Sequence, residues 1–526
     1  MKHQFRSWML ACCAAAAMLF TSCGGNSDYR DVLPADSYFV MSVDPASLYE
    51  KSGAGDITQH PLYVRLSSEL EKTEVLSAEE KEYLLTLLKS PAESGLDPQK
   101  DVYLFVSMTA PADGSAMMPI SQKLGLLLPL GDRAKFDALI GRICQKSGLS
   151  TETSGGVTCV PVGESDPYSG VCAYDDRAAL LYFATGDLAS AQADAEALFA
   201  QKRSESLMGN AEIAASLSTS NDVNMVVSYA GLTSLMNSNP MLSSMPMMEA
   251  LKALTAVGSM NFEKGEVVSE FSVVYPDDES RRKVEEIYSY ISPMSGDLLR
   301  FVTDAPIGVM GFGLDGSKLL DLVASMPGGA MMTSNPQVAQ VMKAFAGDML
   351  VEFQGMTSDG RYPVGTLLSQ INDPSALDVV VANLAGIPVQ KTGEGAYTLN
   401  LGDVTLWFGV KENVLYVTNS VASKGAIDGS PLELNKAVAA LFDGQTAGFY
   451  LRFAGVNDLL LRFGGTGPDV EAARSLLSIF DVLEVSSTME KGRMVVRMTD
   501  RDQNAFKSIC DAIGALITRY LPEEGM

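Results

Sequence analysis

The sequence predicts an α+β fold, built as two diverged tandem copies of a mixed, largely antiparallel sheet-and-helix module. Short strand patterns come in consecutive runs joined by brief turns, which leaves no room for the crossover helix a parallel pair needs. Helical patterns sit between these runs instead of alternating with single strands. The same order of elements then recurs along a chain of 526 residues, a length that itself suggests more than one domain.

The chain opens with a leader. Lys2 and Arg6 precede an apolar run from Trp8 to Phe20. That run is shorter than the roughly 20 residues a spanning helix needs, and it ends in small residues and a cysteine. Leu19-Phe20-Thr21-Ser22-Cys23 reads as a lipobox, with cleavage before Cys23 and lipid attached to its thiol. Residues 1–22 are therefore read as a lipoprotein signal peptide and 23–31 as a lipidated tether.

The first module is expected over 32–295. A strand over Tyr38 to Val43 leads into a helix at Asp44-Pro45, an acidic cap followed by proline. Helices follow over Pro61 to Lys72 and from Ser77, where Glu80 completes a capping box. Strands over Asp101 to Met108 and Leu124 to Leu130 precede a helix over Asp132 to Gln145. Val157 to Val162, Gly170 to Tyr174 and Ala179 to Ala184 read as three short strands, and Asp187 to Gln201 as a helix. Asn224 to Tyr229 is a strand. A methionine-rich stretch separates it from a hairpin whose turn is Glu263-Lys264-Gly265 and from a helix over Asp278 to Ile291.

The second module is expected over 300–526. Pro306 to Leu314 with Asp315-Gly316-Ser317 echoes the opening strand and helix, and Asp348 to Gln354 and Val364 to Gln370 echo the next two strands. Ala396 to Leu401, Val404 to Gly409 and Val414 to Asn419 echo the three short ones. Gly448 to Gly455 echoes Asn224 to Gly231, and Glu490-Lys491-Gly492 repeats the earlier turn tripeptide. The last helix, from Asp502 to Leu521, carries Phe506, Ile509, Ile513, Leu516 and Tyr520 along one stripe.

Composition excludes several functions. The formal net charge of −25, with no compensating Lys/Arg cluster, repels nucleic acid. His60 is the one histidine after the leader, which removes histidine metal clusters and nearly removes a Ser-His-Asp apparatus; before Pro61 at a loop-to-helix junction it reads as a surface or capping residue. Phosphate-binding glycine loops and calcium loops are absent from the sequence. Acidic pairs such as Asp175-Asp176 and Asp277-Asp278 fall where turns and helix starts belong. Trp407 lies on a strand and reads as sheet packing.

Beyond Cys23, the cysteines are Cys144, Cys159, Cys172 and Cys510, none in a CxxC pair. Cys159 and Cys172 flank a turn-rich loop, so a disulfide across a hairpin is one expectation and two small apolar strand residues the other. Met236, Met241, Met245, Met247 and Met248 form one methionine cluster, and Met326, Met331, Met332 and Met342 a second. Thioethers suit copper(I), but no histidine accompanies them, so no metal or other cofactor is expected. The first cluster reads as apolar fill or as an adaptable surface for an apolar ligand or partner.

The Thr-Ser-Cys-Gly lipobox, the Val32-Leu-Pro-Ala-Asp36 opening and the repeated plan together resemble a family of Bacteroidetes cell-envelope lipoproteins grouped only as a domain of unknown function. The resemblance implies an outer-membrane lipoprotein and supplies no activity; the periplasmic or surface face stays open. The expected function is a lipid-anchored envelope protein with a non-catalytic binding or scaffold role. It would be joined to the membrane through Cys23 and would meet a protein or an apolar ligand. The alternatives are a periplasmic carrier of an apolar ligand and, third, a two-carboxylate hydrolase.

Overall fold

The computed structural model describes residues 28–55, 58, 61–73, 76–109, 121–165, 167–230, 254–326, 328–384, 386–429 and 436–520. They form an α+β protein of two compact units, with antiparallel strand pairing throughout. The units are not consecutive halves. The first takes 28–230, 254–263 and the C-terminal helix from 504 onward, and the second takes 264–503. This differs from the expected modules of 32–295 and 300–526.

In the first unit the strands are β1 (Ser37–Val43), β2 (Val102–Thr109), β3 (Ser121–Pro129), β4 (Glu152–Ser154), β5 (Val157–Ser165), β6 (Tyr168–Tyr174), β7 (Ala178–Thr185), β8 (Val223–Ser228) and β9 (Thr255–Glu263). They lie side by side in the order β4-β5-β6-β7-β3-β2-β1-β8-β9. One face is a closed core in which Val40, Phe105, Tyr182 and Val171 share a row with Gly125. A Cβ on Gly125 would stand 2.1 Å from the Phe105 ring, so the row closes only over glycine. Val32 and Leu33, from the opening stretch singled out in the sequence, are fully buried in the same core.

The opposite face is covered at one end by helix Arg133–Ser147, capped by Asp132 and ended by Gly148 in the left-handed region. Its Phe136, Ile140 and Cys144 pack with Val160, Cys172 and Tyr174. The expected capping box at Ser77 and Glu80 and the Asp44-Pro45 helix start are both present.

The second unit holds β10 (Glu266–Val274), a short β11 (Ile291–Ser292), β12 (Gly308–Asp315), β13 (Phe345–Met356), β14 (Pro363–Ile371), β15 (Val389–Gly393), β16 (Ala396–Leu401), β17 (Val404–Lys411), β18 (Val414–Thr418), β19 (Ala447–Arg452), β20 (Phe480–Ser487) and β21 (Lys491–Met498). The order is β15-β16-β17-β18-β14-β13-β12-β19-β20-β21-β10. From β15 to β20 this is the ladder of the first unit, strand for strand: β12 pairs with β13 and β19 as β1 pairs with β2 and β8. The core packs Leu298, Leu299 and Phe301, from a 3-10 turn, on Val309, Leu350, Leu368 and Tyr416.

Pairing explains the partition. β10 is zipped along β21 from Glu266↔Arg497 to Ser272↔Lys491, and Arg497 Nη1 reaches Glu266 at 2.9 Å. The last helix, Ala505–Tyr520, instead packs on helix Pro45–Ser52, and the Asn504 amide donates to the Phe262 carbonyl at 2.8 Å. The two Glu-Lys-Gly tripeptides are not equivalent. Gly265 sits in a turn with φ +75°, whereas Gly492 lies inside β21 beneath the Phe271 ring. Helices Phe453–Phe463 and Pro468–Leu477 occupy a stretch for which the sequence suggested only a strand running to Gly455.

Asp222, fully buried, ties the first unit's opening helix to the sheet. Its carboxylate accepts from Ser47 Oγ at 2.5 Å, Lys51 Nζ at 2.8 Å and the Phe262 amide at 2.6 Å. Asp222→Ala strands a half-buried cation and a backbone N–H together, and is expected to destabilise the protein by about 2 kcal/mol. Urea unfolding should show a lowered midpoint with an unchanged slope; a loss under about 0.5 kcal/mol would refute this role.

Candidate functional site

Cys23 and Met236, Met241, Met245, Met247 and Met248 lie outside the described residues. Of the second methionine cluster, Met331 and Met332 are 82% and 58% exposed on helix Gly329–Thr333. Cys159 and Cys172 are both buried and are not joined to each other, so the hairpin disulfide is corrected. Cys159 stands opposite Ala173, and Cys172 opposite Val160. Positions one residue apart in register point to opposite faces, and the two thiols accordingly belong to different cores. Burial pushes the Cys159 thiol up to about 12, with Glu196 adding to the shift, so it stays protonated and inert.

The first described residues after Cys23 form a clasp. Asp28 accepts from Arg30 Nε at 2.7 Å, from Arg30 Nη2 at 2.7 Å and from Arg203 Nη1 at 3.0 Å. Arg203 also reaches Asp31 at 3.0 Å, and Arg30 donates to Ser218 Oγ at 2.8 Å. Burial alone would raise the Asp28 carboxyl, but the bonds from Arg30 outweigh it and hold the group below its usual range. Tyr29 donates to the Asp101 carbonyl at 2.8 Å and meets Tyr103 edge-on, with ring centroids 6.0 Å apart. The clasp holds residues 28–31 against the first unit.

The two most buried carboxylates of the second unit, Asp348 (1% exposed) and Glu352 (2%), lie on β13. Four residues apart on one strand, they share a face. Asp348 accepts from the Ser295 amide at 2.8 Å, Ser295 Oγ at 2.9 Å and the Gly296 amide at 2.8 Å. Glu352 accepts from the Thr303 amide at 2.8 Å, from Thr303 Oγ1, from Gln354 Nε2 at 2.8 Å and from Ser423 Oγ at 3.1 Å. Their oxygens are turned to the protein's own donors at either end of the 3-10 turn Asp297–Phe301. The arrangement staples that turn to the sheet and offers no oxygen to a substrate. The acidic pairs noted in the sequence serve locally: Asp175 holds Arg177 at 2.7 Å, and Asp277 caps helix Asp278–Ile287.

The opposite face of the same strands is different. Met310 on β12 and Val351 on β13 stand directly opposite each other in the middle of the sheet, yet are 47% and 39% exposed. The row continues in register through Phe449, Val485 and Met494 on one side and through Leu367 on the other. Beyond Leu367 it passes to Val417 and Phe408, which pack under helix Ala376–Asn383. Beside it lie Phe312 with Met349, and Phe353, Leu451 and Leu483. From β21 to β14 this face carries Gly, Ala, Ser, Val, Leu, Met and Phe and no charged residue. The first unit has the matching row, Val227–Phe39–Val106–Leu124–Phe183, with Leu124 41% exposed. On β13 the alternation of Asp348 and Glu352 with Met349, Val351 and Phe353 reads in sequence as carboxylates toward water and apolar residues toward the core, whereas in the structure the two carboxylates are buried and Val351 is exposed. Among the described residues no helix is long and apolar enough to cross a membrane, and no group of side chains could hold a metal ion.

Residues 29–430 match the model of the family described as "Domain of unknown function (DUF4836)", and the chain belongs to that family. A search of curated proteins returns no match. Among solved structures, the chain is similar to one titled "Structure of crystal form IV of TP0453", at 10% identity and a TM-score of 0.24, covering 44% of this chain and 99% of that one. A likeness at that score carries no argument about fold or role.

Burial pushes the Asp101 carboxyl up to about 6, with Asp44 adding to the shift and Arg30 opposing it. The folded state therefore favours the protonated acid. That stability is fully present below the unfolded value near 3.8 and is lost as pH rises through about 6. Asp101→Asn, which keeps the carbonyl that Tyr29 uses, should stabilise the protein by about 2 kcal/mol at pH 7.5 and leave it unchanged at pH 3.5. Urea midpoints at the two pH values test this; an equal effect at both would refute it.

Proposed function

We propose that this member of the DUF4836 family is a lipid-anchored cell-envelope protein with a non-catalytic binding role, and that its binding surface is the apolar sheet face of the second unit. The observation that carries the reading is the pair Met310 and Val351. Side chains in the centre of a sheet are normally covered, and an uncovered apolar patch there marks a place for a guest. The buried carboxylates support it by default, because the most protected acids hold a turn in place. The lipobox supports the anchor, and the clasp holds residues 28–31 against the first unit. The anchor sits on the outer membrane in this reading, as the resemblance to Bacteroidetes lipoproteins implies. The shared strand order supports descent of the two units from a tandem duplication.

Each acyl methylene buried in a bilayer contributes about 0.8 kcal/mol, so several chains on Cys23 hold the body permanently. Cys23→Ala should move the protein from the membrane fraction to the soluble fraction, or leave an uncut precursor; membrane retention after verified cleavage would refute the anchor. For the binding role, the wild-type body is crosslinked in cells and recovered beside Met310→Lys. The reading expects a bound species, protein or small molecule, whose recovery falls at least tenfold in the variant while the fold persists by circular dichroism. Recovery unchanged by the substitution would refute this face as the binding surface.

A further inference from the structure

The clasp at Asp28 limits how far a lipid on Cys23 can stand from the first unit. Residues 28–31 read in sequence as the end of a tether, yet each is bonded to that unit. Asp28 and Asp31 both accept from Arg203 Nη1 at 3.0 Å, from 175 and 172 residues away. Arg30 donates to Ser218 Oγ, and the Tyr29 hydroxyl donates to the Asp101 carbonyl while its ring packs on the core. Only Gly24-Gly25-Asn26-Ser27 lies between Cys23 and the clasp. Whatever path those residues take, the five steps from Cys23 to Asp28 span at most about 18 Å. Without the clasp, the first wholly buried residue is Val32, and nine steps would allow a reach of about 32 Å.

The clasp lies at one end of the first unit's strands. Asp101 directly precedes β2, and Arg177, whose charge favours the Asp31 carboxylate, directly precedes β7. β2 and β7 flank β3 and are antiparallel to it, so both run away from the clasp. Each is 8 residues long, which puts its far end about 26 Å off. Helix Leu188–Ala200 returns along that length, from beside Thr185 to Lys202 and Arg203. Around the clasp, Lys202, Arg203, Ser204, Glu205, Ser218 and Thr219 are exposed. This rim carries hydroxyls and both signs of charge. Water or lipid head groups can solvate it, and a hydrocarbon interior cannot.

These lengths decide the polarity of the unit at a membrane. With Thr109 and Thr185 turned toward the bilayer, Asp28 would stand about 26 Å out, beyond the 18 Å or so that its link to Cys23 allows. The 32 Å or so available without the clasp would permit that inverted pose. We infer that the clasp end of the first unit, around Arg203 and Ser218, is the surface apposed to the bilayer that holds the Cys23 lipid, with polar head groups as its partner. The inference rests on the lipid anchor proposed above.

The test uses the lipidated full chain, extracted in detergent and added to phosphatidylcholine vesicles that carry an energy-transfer acceptor on some head groups. A donor dye is placed on Ser204→Cys, beside the clasp, or on Ala189→Cys, at the far end; both positions are exposed. The chain with no added cysteine supplies the background from the native thiols. Transfer from position 204 should exceed that from position 189 by about twofold, because the helix between them is about 20 Å long. Inserting about 20 Gly/Ser residues between Ser27 and Asp28 adds an r.m.s. length of about 25 Å and should bring the two efficiencies together. Arg30→Ala combined with Arg203→Ala should narrow the difference with unchanged circular dichroism. If that variant loses its fold, the insertion, which leaves every clasp bond in place, still decides. Equal transfer at the two positions of the native chain, or a difference untouched by the insertion, would overturn the inference. If the chain stays on the vesicles and the two efficiencies are equal, this inference fails and the anchor stands. If the chain does not stay on them, both fail.

Discussion

The alternation of β13 is the constraint on which the second unit depends. Asp348 and Glu352 project from one side of the strand and are held there by the amides and hydroxyls of Ser295, Gly296, Thr303 and Ser423. A strand has period two, so fixing those carboxylates inward sends Met349, Val351 and Phe353 to the other side. A slip by one residue would bury Met349 and Val351 among backbone donors and push both carboxylates out. Losing those bonds, with their donors left buried, costs more than the apolar burial gained. Register is thus set by polar groups, and the apolar face is left uncovered as a consequence.

Much of the local structure was legible from the residues. Asp44-Pro45, the Ser77–Glu80 box and Asp132 are caps whose chemistry acts over a few residues, and they start helices where expected. The strand runs and their antiparallel pairing followed from short turns. What was not legible depends on partners distant in sequence. Nothing local to Glu266–Val274 says that it will zip onto Lys491–Met498, or that Phe506 will pack on Phe262. The Cys159–Cys172 bridge failed for a similar reason. A loop brings two strands together, but the bulge between Pro161 and Gly163 and the final register decide which side chains face each other. The candidate face was hidden because the alternation on β13 suggests that its carboxylates meet water, whereas Asp348 and Glu352 are the buried ones and Val351 is exposed.

The first unit shows how the chain's two ends are used. Tyr29, Val32 and Leu33 enter its core, and Ala505–Tyr520 returns to pack on its opening helix. Both stretches therefore add burial to the first unit. Arg30 and Arg203 gather Asp28 and Asp31 into one ion cluster next to Asp101, whose own charge is disfavoured by burial. The guanidinium of Arg30 is bound through several donors at once, a geometry that a lysine could not reproduce.

An exposed apolar row is ordinarily a hazard, because unpaired strands with apolar faces recruit other chains. Here the two features are separated. The exposed side chains sit on β12 and β13, whose backbones are saturated on both sides. Strand β10, with its partner β21, carries Glu266, Glu270, Arg493 and Arg497. Paired backbones at the centre offer nothing for another strand to add to. The surface that remains can attract only through dispersion and the release of water.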